Sequence, residues 1–298
     1  MRTICVDLGG SRVKLAAVED GRIIESEIFP VAGYAWSATR AELEPRIRAL
    51  AARQAGPWRG LGFASPGVID ERRGVLACSN AQHVGLEGFD LSAWARRSFG
   101  LELRAMNDAR AALIGELNYG CARGERNAVM LILGTGVGTS AVCEGRILRG
   151  AHYSAGLLGG FLPVQFDGGR LACGAEGYLE AYVGTWGLKE MAGDPNYDYA
   201  RLAADYAAGE SRARKLFGTI SAALGAGTLG LVHLYDAETV IYSGGVSHFR
   251  PLLAAAEAYV LKRVWTPWGR LRFVTSENPE SSVTLGLHAL FAEDAKLG

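Results

Sequence analysis

The sequence predicts an α/β protein built as two lobes, and three observations carry that reading. Helical and extended patterns alternate along the chain, a glycine-punctuated βββ segment occurs twice, and 298 residues exceed one ordinary domain. Residues 4–24 read ICVDLGGSRVKLAAVEDGRII, and residues 128–148 read AVMLILGTGVGTSAVCEGRIL. They align without gaps: Gly10 meets Gly134, Val13 meets Val137, and Gly21-Arg22-Ile23 meets Gly145-Arg146-Ile147. Each copy reads as strand, glycine-rich turn, strand, Asp-Gly or Glu-Gly turn, strand, the pattern of consecutive hairpins.

The other elements come in order. Ser37 to Gln54 is a helical pattern with Leu43, Ile47 and Leu50 on one face. GLGFAS at 60–65 is a short buried strand ended by Pro66-Gly67, and 87–99 forms a short helix. LELRAM at 101–106 is a strand, followed by a helix from Asp108 to Tyr119 that begins just after Asn107. Residues 211–235 make a long apolar helix, TVIYSGG at 239–245 a strand, and 249–263 another helix. Ser281 or Ser282 can cap a final helix. The expected lobes are residues 1–117 with 281–298, and residues 118–280, with the crossover near 117–128 and hinges there and near 280.

Composition narrows the function. Hydrophobic residues at 49% with 21% charge suit a globular chain, and the formal net charge of zero gives no electrostatic case for nucleic acid or an anionic membrane as partner. Cys5, Cys78, Cys121, Cys143 and Cys173 are scattered and form no C-x-x-C pair, which suits reduced thiols in a cytoplasmic protein. Asp7 and the glycines after it interrupt the first apolar run, which argues against a signal peptide. No run of about 18 uninterrupted apolar residues predicts a membrane span.

Whether the glycine loops hold phosphate depends on the element that each one opens. In a dinucleotide-binding fold such a loop opens a helix whose N-terminus holds the pyrophosphate. Here Lys14 to Ile24 alternates and turns at Asp20-Gly21, so the loops join strands, which disfavours a nicotinamide oxidoreductase. Two hairpin loops facing each other would still offer backbone N–H groups to phosphates that a Cβ would hold away.

Seven segments stand out in order along the chain: D-L-G-G-S-R-V-K (7–14), S-P-G-V-I-D (65–70), N-D-A-R-A-A (107–112), L-G-T-G-V-G (133–138), R-G-A-H-Y-S-A-G (149–156), G-A-E-G-Y-L-E (174–180) and S-G-G-V-S (243–247). Together they resemble the ROK family of sugar kinases (repressors, open reading frames and kinases) over almost the whole chain. No helix-turn-helix precedes residue 4, so the kinase branch is the better match. The resemblance implies a two-lobed actin-like ATPase (ribonuclease H-like) fold with duplicated βββαβα domains, and ATP-dependent phosphoryl transfer to a sugar hydroxyl with magnesium. It also implies a small-molecule sugar as partner, with a homodimer as the family habit.

In such a transfer the protein supplies positioning, charge neutralisation and a proton acceptor. By resemblance Asp108 is the general base; its place at a helix start favours the ionised form, and the plainer reading is an N-cap. Asp7 would serve hydrated magnesium or phosphate. Gly9, Gly10 and Ser11 would line the first loop, and Lys14 reads equally as loop lining or a solvated strand residue. Gly134, Thr135 and Gly136 would line the second loop. Gly244-Gly245 resemble the adenosine-side turn and also serve as a tight connection. Gly67, Asn80, Asn107 and Glu180 match sugar-side positions.

One motif departs from the family. Where the pattern is S-A-G-E-x-G-H, this chain has S-A-G-L-L-G-G, with Leu157 for the acid and Gly160 for the histidine that grip sugar hydroxyls. Of the family's three zinc cysteines only Cys173 is present, with Leu171 and Tyr178 at the others, so zinc is expected to be absent and those two residues to pack the loop. Two hydrogen bonds to charged groups, at about 1.5–3 kcal/mol each, would be missing for glucose. The acceptor is therefore expected to be a sugar carrying an apolar or bulky substituent, such as a glycoside or N-acyl sugar, tolerated by Leu157 and space beside Gly160. A non-catalytic sugar or nucleotide sensor descended from a kinase is the alternative.

Overall fold

The computed structural model describes residues 1–33, 35–54, 56–79, 83–169 and 176–292. The chain forms two compact units: Met1–Gly124, Arg146–Ala155 and Glu277–Gly298 make the first, and Glu125–Gly145 with Gly156–Ser276 the second.

The first unit begins with β1 (Arg2–Leu8), β2 (Arg12–Glu19) and β3 (Arg22–Pro30), then α1 (Trp36–Arg53) and β4 (Gly60–Ser65). Next come a two-stranded arm of β5 (Val68–Asp70) and β6 (Val75–Cys78), then α2 (Leu91–Phe99), β7 (Leu103–Asn107) and α3 (Asp108–Tyr119). The main sheet has the order β3-β2-β1-β4-β7, antiparallel within the opening meander and parallel from β1 through β4 to β7.

The second sheet starts with β8 (Ala128–Leu133), β9 (Val137–Cys143) and the two-residue β10 (Arg146–Ile147), where the chain passes back into the first unit. The second unit then adds α4 (Leu179–Val183), α5 (Thr185–Ala192), α6 (Tyr199–Ala207), α7 (Ser211–Tyr235), β11 (Thr239–Ser243), α8 (Arg250–Leu261) and β12 (Arg272–Thr275). Its sheet order, β10-β9-β8-β11-β12, repeats the first, with β8 antiparallel to β9 and parallel to β11. The chain ends, among the described residues, with α9 (Pro279–Ala289) in the first unit.

The repeat read from the sequence is therefore a repeat of topology. Both tight turns use two consecutive positive φ values, Asp20 and Gly21 at 47° and 76°, Glu144 and Gly145 at 52° and 79°. That is the hairpin turn whose twist matches the flanking strands.

The first unit's core packs Ile4, Val6 and Leu8 of β1 with Leu43, Ile47 and Leu50 of α1, the face expected for that helix. Trp36 meets Phe63, Phe89 and Trp94 edge-on at 5.6–5.9 Å, an arrangement favoured by the ring quadrupoles. α7 is long and apolar enough to cross a membrane, yet more than half of its most apolar stretch is buried within the protein. Its apolar character is that of a core helix.

Several expected boundaries shift, each for a local reason. α2 starts at Leu91 rather than 87, because Asp90 caps it by accepting the Ala93 N–H at 2.7 Å. β11 stops at Ser243, where Gly244 takes φ +84°. α9 is not capped by a serine: Pro279 opens it, and Ser282 donates instead to the buried Glu116 carboxylate.

Candidate active site

In the first unit, Asp7 lies on β1 opposite Lys14 of β2, and the loop between the strands closes through Gly9 N–H to the Arg12 carbonyl at 3.0 Å. Gly10 and Ser11 form its tip, and the Ser11 carbonyl accepts the Val31 N–H at 3.0 Å. Lys14 fits neither sequence reading fully: it is partly buried and its ammonium donates to the Glu280 carbonyl at 2.5 Å. Burial, before any charge nearby, pulls its pKa down.

Asn107 and Asp108 stand where β7 becomes α3. The Asn107 side-chain oxygen accepts the N–H groups of Ala109 and Arg110 at 2.9 and 3.2 Å, and its amide donates to the Gly67 carbonyl at 2.9 Å. Asn107 is thus the cap, which leaves Asp108 as the first helical residue; its Oδ1 accepts the Ala109 N–H at 2.8 Å. Burial outweighs the field of the helix end here. It raises the Asp108 carboxyl above the ordinary carboxylate range, opposed by the backbone N–H groups and the Asn107 amide. Gly67, at φ +97°, sits where a Cβ would lie 2.4 Å from the Cys78 carbonyl oxygen.

Asp7 is held up to about 7, first by burial and then by the negative charge of Asp108, with Lys14 and Arg12 pulling it down. An acid with a raised folded-state pKa destabilises the fold while it is ionised, and that cost disappears as pH falls through about 7 toward the unfolded value. Asp7→Asn should therefore stabilise the apo protein by on the order of 1–3 kcal/mol at pH 8. The gain should shrink steadily between pH 7 and pH 4, followed by thermal melts across that range. A gain independent of pH would contradict the assignment.

In the second unit, Gly134, Thr135 and Gly136 join β8 to β9, closed by Gly134 N–H to the Gly136 carbonyl at 3.0 Å. Neither glycine loop opens an α-helix; each joins two antiparallel strands. Gly244 comes after β11 beside the end of β8, where a Cβ would lie 2.4 Å from the Leu133 carbonyl oxygen, and Gly245 begins a 3-10 turn. Leu157 precedes the 3-10 turn Leu158–Phe161, and Gly160 is buried within it.

The expected space beside Gly160 is absent. A Cβ there would lie 2.3 Å from the Val137 carbonyl oxygen, because the turn closes onto β9. Thr139 holds it there, accepting the Gly159 N–H at 2.9 Å and donating to the Gly156 carbonyl at 2.6 Å. Glu180, on the first turn of α4, accepts the Val137 N–H at 2.8 Å and so lies against the second glycine loop. Tyr178 packs edge-on against Phe161 at 5.6 Å; Leu171 and Cys173 lie outside the described residues, as does Asn80.

The residue patterns gave no notice of two further features. Arg110, two residues beyond Asp108, is a buried guanidinium that donates to Glu71 at 2.8 Å and to the carbonyls of Tyr153 and Ala155 at 3.2 Å each. Glu71 also receives Arg149 at 2.7 Å. His83 is 2% exposed, with the Gly9 backbone in hydrogen-bonding reach of its ring. The histidine in N-A-Q-H was the available signal for this second feature.

The chain is similar to curated kinases over most of its length. It is 27% identical over 286 residues to a glucokinase of Halalkalibacterium halodurans, covering 87% of this chain and 86% of that protein. It is 26% identical over 257 residues to a beta-glucoside kinase of Klebsiella pneumoniae, covering 83% and 82%. Among solved structures, a ROK hexokinase from Thermus thermophilus superposes with a TM-score of 0.83 at 26% identity, covering 98% of each chain. The fold is thus the actin-like ATPase class, which two sheets of one repeated order already suggested. Residues 3–294 match the ROK family, and the chain belongs to it.

Proposed function

We propose that this protein phosphorylates a sugar bearing an apolar or extended substituent, with Asp108 as the base and both glycine loops holding one ATP. The general activity, ATP-dependent phosphoryl transfer to a sugar hydroxyl, is that of the ROK kinases to which the chain is related. The observation that carries the rest is the form of the two loops: each is a strand–glycine loop–strand hairpin, once in each unit.

Several features support the roles. Asp108 is desolvated, so its carboxylate is a stronger base than an exposed one. Asp7 is buried beside the like charge of Asp108, surroundings in which a cation would favour its ionised form. Magnesium keeps most of its waters and needs only one or two protein carboxylates, so Asp7 and ATP phosphates would hold it and it would neutralise phosphate charge. Gly134–Gly136 with Gly244-Gly245 would take the nucleotide side, and Gly67, Asn80 and Asn107 the acceptor side. One thiol at Cys173 is too few for a structural zinc, which we propose is absent.

The substituent reading rests on the turn after Leu157. Leu157 stands where the family has an acid, Leu158 and Phe161 are 51% and 43% exposed, and Tyr178 stands edge-on to Phe161. An apolar group would cover that exposed surface; a free hydroxyl would lose hydrogen bonds to water there. A cytoplasmic location and a homodimer remain part of this proposal.

The test is an ADP-coupled assay over glucose, N-acetylmannosamine, N-acetylgalactosamine and aryl and alkyl β-glucosides. Substituted sugars should exceed glucose in kcat/KM by about 10-fold or more. Preference for glucose would overturn the acceptor reading. Nucleotide binding without turnover of any sugar would favour the sensor.

A further inference from the structure

The family resemblance makes Glu180 a sugar ligand, but its geometry ties it to the other substrate. Its Oε2 accepts the Val137 N–H at 2.8 Å, at the first residue of β9 after Gly134, Thr135 and Gly136. A Cβ on Gly136 would stand 2.4 Å from that oxygen, and one on Gly160 would stand 3.4 Å from it. Gly136 is glycine where the carboxylate needs the room, whereas at Gly160 it is the Val137 carbonyl, 2.3 Å from a Cβ, that excludes a side chain. The rest of the loop is held from the same stretch of chain. The Thr185 N–H and hydroxyl both donate to the Gly134 carbonyl, at 3.0 and 2.9 Å. Gly184 approaches so closely that a Cβ would lie 2.8 Å from the Thr135 carbonyl oxygen.

We propose that Glu180 is a positioning residue for the second glycine loop: it fixes the loop's exit into β9 and so the shape in which Thr135 and Gly136 meet phosphate. This rests on the reading of that loop as a phosphate loop. The carboxylate engages the last N–H of the bend, so the loop cannot relax by turning that peptide outward. Glu180 Oε1 takes no part in that bond and is left for an acceptor hydroxyl. One side chain then touches the acceptor with one oxygen and shapes the nucleotide loop with the other, a direct coupling between the two substrates. A preorganised loop binds phosphate without first being ordered.

The two roles separate in the absence of any sugar. Titration calorimetry of the full chain with magnesium adenylyl imidodiphosphate, acceptor omitted, reads only the loop. Glu180→Ala should weaken binding about 10- to 100-fold, the range for one lost hydrogen bond to a charged group. Glu180→Gln should bind at least as well as wild type, because an amide oxygen still accepts the Val137 N–H and no longer repels phosphate. Hydrogen exchange at Val137 should quicken in the alanine variant and stay slow in the glutamine variant. Should Glu180→Ala not fold, Glu180→Asp, one methylene short, carries the same expected loss. Unchanged nucleotide binding in the alanine or aspartate variant, or equal losses in glutamine and alanine, would overturn the proposal alone. A wild-type chain that binds no nucleotide would overturn the phosphate-loop reading with it.

Discussion

Asp108→Asn should reduce kcat by about 10²–10⁴-fold, the range for loss of a positioned general base, with little change in nucleotide affinity. The substitution preserves size and the oxygen that accepts the Ala109 N–H at 2.8 Å. It removes a charge that the site already penalises by burial, so the variant should be no less stable than wild type. That separates catalysis from capping. Asn107 is the residue whose side chain caps α3, so a purely structural Asp108 would leave turnover within a few-fold. The wild-type rate should fall on its acid side at a pH above the ordinary carboxylate range, because Asp108 must be ionised to accept the proton. Steady-state kinetics on the best acceptor, with pH profiles of both proteins, checks both expectations.

Arg110→Met should destabilise the first unit by about 3–5 kcal/mol, the range for breaking a buried ion pair from one side. The guanidinium serves three acceptors at once: the Glu71 carboxylate and the Tyr153 and Ala155 carbonyls. Methionine fills the volume but removes the guanidinium donor from those carbonyls and leaves Glu71, among the described residues, with Arg149 as its remaining charged partner. Arg110→Lys should recover less than half of the loss, because an ammonium cannot reproduce the planar fork. Urea unfolding followed in the first unit, where Trp36, Trp58 and Trp94 lie, measures it. The segment that Arg110 holds leads directly to Gly156 and the 3-10 turn, so a higher acceptor KM should accompany the loss of stability. A cost below about 1 kcal/mol would mean that solvent replaces the network.

The features legible in the sequence were those written in neighbouring residues. Alternation around Asp20-Gly21 and Glu144-Gly145 specified two hairpins, and the structure turns both through paired positive φ values. Asn107 followed by apolar periodicity located α3 to the residue, and α7 matched at both ends. The features that escaped depend on partners distant in the chain. Glu71 lies 39 residues from Arg110 and 78 from Arg149, and no local pattern announces that network. Ser282 looked like a cap because its proximity to Glu116, 166 residues away, is invisible in sequence. Gly160 looked like vacant space for the same reason: only the fold brings the Val137 carbonyl under it. The dipole at the start of α3 favours an ionised Asp108, but burial, which no local sequence pattern reveals, decides the direction of its pKa.

The most direct test is a crystal structure with magnesium and adenylyl imidodiphosphate. Backbone N–H groups of both the 9–11 loop and the 134–136 loop should donate to one triphosphate, with the metal near Asp7 and the Asp108 carboxylate facing the γ-phosphate. A nucleotide gripped by one loop alone, or an Asp108 remote from its terminal phosphate, would contradict that arrangement.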